Sequence, residues 1–239
     1  MFYSAVMQES FGFASGDVAE WSDCLIEWGG DPLPIQRRRR TPLGQLVKSI
    51  LSSQTYDAIS EAAYDALAKD VPFLADLADM SVARVIRPIA RVTYAKAKAQ
   101  FLVDTMQQIR AERPDACLDF LAAMPLERAL LWLERLPGVQ RKVAASTLNS
   151  STLNLPVFIV DTHVLRVLSR LGFVDHHADY RAASEAVTAA MPRWDGDDFL
   201  RLHMLIKRLG QRICRYDLPI CRRCPLATSC LTARHRFAA

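Results

Sequence analysis

Four cysteines within seventeen residues, Cys214-RYDLPI-Cys221-RR-Cys224-PLATS-Cys230, restrict this 239-residue chain more than any other feature. The spacing C-x6-C-x2-C-x5-C must close one short loop around something. The start, MFYSAVMQESFGFASGD, lacks the basic residues and apolar core of a secretory signal. The chain is therefore expected in a reducing compartment, where these thiols do not pair as disulfides. Four thiolates on one loop can enclose a metal centre, with the C-x2-C pair on one side. Zinc competes for such a site, because tetrahedral thiolate sites also use C-x2-C. The single close pair and the longer flanking spacers favour an iron–sulfur body larger than one ion. Cys24 and Cys117 lie far from the loop and read as buried small hydrophobes.

The rest of the chain reads as all-α. With 51% hydrophobic and 23% charged residues it can bury a proper core, and no apolar run approaches the roughly 18–20 residues that span a bilayer. A short helix is expected around Val18–Trp28, then a linker containing Pro32 and Pro34. From Pro42 the apolar positions recur at helical spacing: Leu43, Leu46, Val47, Ile50 and Leu51, then Ala58, Ile59, Ala62, Ala63, Ala66 and Leu67. Further helices are expected over 73–78, 82–86, 95–111, 117–122, 126–135, 162–171, 180–190 and 197–211, punctuated by Pro88, Pro114 and Pro125. "LPVFIV" at 155–160 could be a strand, but a lone strand has nothing to pair with, so an extended connector is expected.

Chemistry points to two short segments. In "LPGVQRKVAAS" (136–146) a Pro137-Gly138 reversal separates two helical patterns, and Lys142 stands just past it. This is a helix–hairpin–helix pattern, in which glycine permits the tight turn and the N–H groups opening the second helix can face a phosphate. Nineteen residues later, "VDTHVLRVLSRLG" places Asp161 where it can cap the next helix. A lysine attacks an anomeric carbon only when neutral, so desolvation or a neighbouring cation such as Arg141 would have to lower its pKa. A carboxylate can stabilise the oxocarbenium-like charge that develops at that carbon. Each residue also has an ordinary reading, a solvated helix lysine and a plain helix cap. Net charge is only +4, but Arg37–Arg40 form one basic block and Arg208, Arg212, Arg215, Arg222 and Arg223 another, as phosphate-facing patches do.

"LPGVQRK", "VDTHVLRV" and the cysteine spacing, in this order, resemble the endonuclease III family of helix–hairpin–helix DNA glycosylases, and "ILSSQTYD" (50–57) is similar to that family's N-terminal motif. The likeness spans roughly residues 41–232. It implies two all-α lobes with damaged double-stranded DNA held between them and the target nucleotide flipped out. The expected division is an N-terminal segment 1–42 packed with the cluster part, a six-helix barrel over 43–155, and a cluster domain over 156–239. Carried over by position, Lys142 is the Schiff-base nucleophile and Asp161 the catalytic carboxylate. Cys214, Cys221, Cys224 and Cys230 hold a [4Fe-4S] cluster. DNA contacts are expected from Gln54, filling the space of the flipped base, and from Val92 as an apolar wedge. The hairpin residues Leu136, Gly138, Val139, Gln140 and Arg141 join them, with Arg215, Arg222 and Arg223 on the cysteine loop.

The resemblance implies excision of a damaged base, an oxidised pyrimidine first, and strand cleavage by β-elimination at that base or at an abasic site. It also implies a monomer acting in the cytoplasm, on the nucleoid when bound to DNA, with no membrane role. Related specificities, for uracil or mismatched thymine, and a non-catalytic cluster-bearing DNA binder are the alternatives. The adenine-specific branch fits less well, since Ser49 stands where its members carry a glutamate. Two departures stand out: Gln140 replaces the second hairpin glycine, and one extra residue lies between Lys142 and Asp161. Glutamine would weaken a phosphate contact if that position needs positive φ or close backbone approach; the alternative is that its amide reaches DNA directly and substitutes a side-chain bond for a backbone one.

Overall fold

The computed structural model describes residues 15–33 and 38–238. Pro34 and Arg37 fall outside this range, as do residues 1–14. The α-helices are α1 (Ser15–Gly29), α2 (Pro42–Ser52), α3 (Asp57–Asp70), α4 (Val82–Ile89), α5 (Ala95–Glu112), α6 (Leu126–Glu134), α7 (Arg141–Ser150), α8 (Thr162–Leu171), α9 (Tyr180–Ala190), α10 (Gly196–Arg212) and α11 (Leu231–Ala238). Among the described residues there is no strand, only a parallel bridge between Arg40 and Ser151. None of these helices is long and apolar enough to cross a membrane.

Two expected helices are 3-10 rather than α, Leu74–Asp79 and Asp119–Ala123. Prolines next to them, Pro72 and Pro125, leave too few residues for a second α-turn. Residues 157–160 form no strand; Val157, Phe158, Ile159 and Val160 are buried in an irregular connector. Helix α11, beyond the last cysteine, had no counterpart in the sequence reading.

The chain divides into two compact units. One comprises residues 33–159 with 194–200, so the division falls at 33 and 159 rather than 42 and 155. Its helix α2 starts cleanly because Pro42 needs no N–H partner and the Thr41 hydroxyl accepts from the Gly44 N–H at 3.2 Å. Leu46, Val47, Ile50 and Leu51 are buried on one face of α2, which packs against α3, α5 and α7. Along α5, Leu102, Met106 and Ile109 continue the core at helical spacing. Residues 194–200 belong here because Asn149 Nδ2 donates to the Gly196 carbonyl (2.8 Å) and Phe199 packs near Phe158. Gly196 is obligatory: a Cβ there would lie 2.2 Å from the Asn154 side chain. Of the first basic block, Arg39 bonds Asp197 and the carbonyls of Asn149 and Ser151, and Arg40 pairs with Glu61 over the Tyr64 ring. Those two cations serve the fold rather than a phosphate patch.

The other unit comprises residues up to Pro32 with 160–193 and 201–239. Val18, Trp21 and Leu25 of α1 are buried, and Trp21 stacks edge-on against Phe173 at 5.6 Å. Arg208 donates to the Gly29 carbonyl and Arg201 pairs with Asp31 at 3.2 Å. Helix α8 ends at Gly172 (φ +90°), where the Phe173 N–H reaches back to Leu168 O. This is a Schellman closure, for which glycine is the preferred residue.

Candidate active site

The hairpin turn is set by sterics. Gly138 has φ +72°, and a Cβ there would sit 2.6 Å from the Phe101 ring. The Thr105 hydroxyl donates to the Pro137 carbonyl at 2.9 Å, fixing the turn from α5. Gly138→Ala combines a left-handed backbone with overpacking, so we expect it to cost about 2–4 kcal/mol, read as a lower urea midpoint at unchanged slope. Gln140 is exposed and extended at φ −106°, so glutamine sits there without backbone strain. Its side chain makes no cap bond to α7.

Four of the residues expected at the DNA, Leu136, Val139, Arg141 and Val92, have buried side chains. Leu136 and Val139 are buried and pack the hairpin from inside. The Arg141 side chain, 4% exposed, bonds both oxygens of Glu127 (2.9 and 3.2 Å) and lies 2.7 Å from Glu134. That charge is paired within the fold. Val92, in the turn after α4, is 4% exposed.

Lys142 is half-buried in the first turn of α7, and its Nζ donates to Ser52 Oγ at 2.9 Å. The loop after α2 therefore faces the candidate nucleophile. Gln54 on that loop is exposed in the left-handed region (φ +51°), as is Tyr94 (φ +58°) ahead of α5. The Thr93 N–H donates to Thr55 Oγ1 at 3.2 Å, which holds the two loops together. Tyr56 and Tyr94, 83% and 66% exposed, are the aromatic surfaces of these loops, and the sequence reading passed over both. It also passed over Lys98, whose charge faces Lys142.

Asp161 belongs to the other unit and caps α8. Its Oδ1 accepts from the N–H groups of His163 (2.8 Å) and Val164 (2.9 Å). Burial alone pushes this carboxyl up, but His203, the Val164 N–H, Lys207 and His163 outweigh it and hold the group below the usual carboxylate range. It is therefore ionised at neutral pH.

The four loop cysteines line one recess, together with Arg170, Ile213, Pro219, Ile220, Thr232 and Ala233. The recess is built by short turns: the Ile220 N–H bonds Ile213 O, Cys224 N–H bonds Cys221 O, and Cys230 N–H bonds Ala227 O. Arg170 donates to the carbonyls of Arg215 (2.6 Å) and Tyr216 (2.7 Å) and to Cys214 Sγ (3.5 Å). Burial, with the neighbouring thiols, pushes Cys224 up to about 11, and burial raises Cys230 as well. Sulfurs crowded in an apolar recess ionise only against a compensating positive core, which is what an iron–sulfur body offers. Arg215, Arg222 and Arg223 are exposed on this loop. Cys117 is exposed rather than buried, because it follows the turn at Ala116 (φ +51°), and Cys24 is half-buried on α1.

Residues 47–193 match the family described as the HhH-GPD superfamily of base excision DNA repair proteins. An endonuclease III of Sulfolobus acidocaldarius is 25% identical over 81% of this chain and 83% of its own length. Endonuclease III homolog 1, chloroplastic, of Arabidopsis thaliana is 28% identical over 84% of this chain, which spans half of that relative. A solved endonuclease III trapped as a covalent intermediate with DNA superposes with a TM-score of 0.74 at 21% identity, covering 94% of this chain and 99% of that one. The all-α architecture is thus that of endonuclease III, and the chain belongs to the HhH-GPD superfamily of base excision DNA repair proteins.

Proposed function

We propose that this base excision repair protein is a bifunctional DNA glycosylase and abasic-site lyase, with an oxidised pyrimidine in duplex DNA as its first substrate. The observation that carries the reading is one half-buried amine, Lys142, placed just past a glycine-dependent hairpin and held by Ser52. Neutral Lys142 Nζ forms a bond to C1′ as the glycosidic bond breaks, and the electron pair leaves with the base, which takes up a proton. The sugar ring opens as the Nζ lone pair forms the C1′=N bond, the C1′–O4′ bond pair stays on O4′, and O4′ takes up a proton from Nζ, giving an imine to C1′. Loss of a 2′ proton then expels the 3′ phosphate by β-elimination. The ionised Asp161 opposes the positive charge that develops at C1′.

Cys214, Cys221, Cys224 and Cys230 are the residues that would hold a [4Fe-4S] cluster, and the convergence of all four thiols on one recess supports it. Its contribution when bound is to pin the loop that carries Arg215, Arg222 and Arg223, whose planar forks suit phosphate oxygens. The same reading has the protein acting as a monomer inside the cell.

Borohydride trapping tests the proposal. Incubation with a duplex holding an abasic site should give a covalent protein–DNA adduct on reduction. A panel of duplexes with thymine glycol, dihydrouracil, uracil, 8-oxoguanine and mismatched thymine, at one salt concentration, ranks the lesions. Excision without any reducible adduct would leave a glycosylase that activates water, and binding without excision would leave a DNA binder; either ends the lyase reading.

A further inference from the structure

Lys98 is 5% exposed, yet no carboxylate is bonded to it. Its ammonium spends all three N–H groups on neutral oxygens: Leu51 O at 2.8 Å, Ser53 O, and Thr55 Oγ1 at 2.9 Å. These acceptors span the end of α2 and the loop that follows. A helix leaves its last carbonyls without partners and its C-terminus partially negative, so a cation fits there. Here that cation arrives from α5, 47 residues away in sequence. The loop it ties down carries Ser52, the acceptor for Lys142, and Gln54 in its left-handed conformation. Burial, and secondly the charge of Lys142, lower Lys98 to about 8. A buried cation beside a second cation is costly, and a loop could be closed more cheaply by a neutral amide.

We infer that Lys98 is a positioning residue for the reaction: by clamping residues 51–55 onto α5 it holds Ser52 against the Lys142 amine and Gln54 at the surface beside it. The inference rests on the reading of Lys142 as the nucleophile. It predicts loss of the covalent step with DNA binding left in place, because the hairpin and the exposed arginines do not depend on the clamp.

Single-turnover borohydride trapping on abasic duplex, paired with affinity for a duplex carrying a tetrahydrofuran analogue that cannot form an imine, tests it. Lys98→Met should slow trapping at least tenfold, with affinity within about threefold of the parent. Thr55→Val, which removes one of the three acceptors and leaves the charge, should slow trapping about threefold. Ser52→Ala should slow trapping in the parent but add little to Lys98→Met, since both act through the same contact. Should Lys98→Met not fold, the Thr55→Val and Ser52→Ala pair carries the same test, again expecting a combined loss smaller than the product. Trapping within twofold of the parent, equal losses of rate and affinity, or multiplicative losses with Ser52→Ala overturn the inference. If the parent protein itself fails to trap, it is the lyase reading that has failed.

Discussion

Lys142→Ala is expected to abolish the reducible adduct and slow strand cleavage at abasic sites by at least ~10³-fold, because no other amine takes the place of a covalent nucleophile. The fold should survive. Helix α7 is anchored by Val143, Ala144, Thr147 and Leu148, all buried, and the truncated side chain is only half-buried. Lys142→Arg separates charge from nucleophilicity: the guanidinium keeps the positive charge but is never neutral, so it should be as inactive as alanine while holding duplex affinity better. Asp161→Asn completes the set. Asparagine can still accept from the His163 and Val164 N–H groups, so α8 keeps its cap, while the charge opposing the developing cation is gone and excision falls by about 10²-fold. The sign with pH is also fixed. The Asp161 carboxyl lies below its unfolded value, so its contribution to stability is present above that value and is lost as pH falls through the folded one. The asparagine variant should lack this part of the acid dependence. A parent-like adduct in Lys142→Ala would assign the chemistry to another amine.

The sequence carried the two ends of α8 and α9 because strong local signals bracket them: Asp161 and Asp179 accept from first-turn N–H groups, and Gly172 stops α8. It carried the hairpin reversal for the same reason, since the left-handed turn at Gly138 needs a glycine. It did not carry the partners of adjacent cations. Arg141 and Lys142 look alike in sequence, and only closure of the hairpin brings Glu127 and Glu134 onto Arg141 and leaves Lys142 to Ser52. Val92 was placed as a wedge by the resemblance alone, whereas the exposed aromatic position of that loop is Tyr94, whose positive φ no sequence pattern announces. Lys98 had a readable signal that was missed. It lies four and eight residues before Leu102 and Met106, in phase with the buried face of α5, while Lys96 is out of phase and exposed.

The largest loss of stability is expected from the cysteine loop. Cys224→Ser should lower bound iron from about four atoms per chain to almost none, because one missing thiolate opens the cluster to loss. The loop has little else to hold it. Between α10 and α11 it is held by backbone turns, by the Ile220 N–H closing on Ile213 O, and by Arg166 and Arg170 donating to carbonyls rather than burying apolar area, and Leu226 is the largest buried side chain of the segment. Metal binding to such a loop is folding free energy. With about 3 °C of melting temperature per kcal/mol for a chain of this length, a loss of ~5 kcal/mol lowers the melting temperature by ~15 °C. Binding should weaken with it, since Arg215, Arg222 and Arg223 keep their charge but not their place. If all three contact phosphates, the slope of log affinity against log salt should fall by up to about 2.7. Cys117→Ser is the matched control: that thiol is exposed and outside the recess, so iron content and melting temperature should not change. One zinc per chain in the parent protein would replace the cluster with a single ion. An iron-loaded Cys224→Ser that melts with the parent would mean that the loop is held by its polypeptide alone.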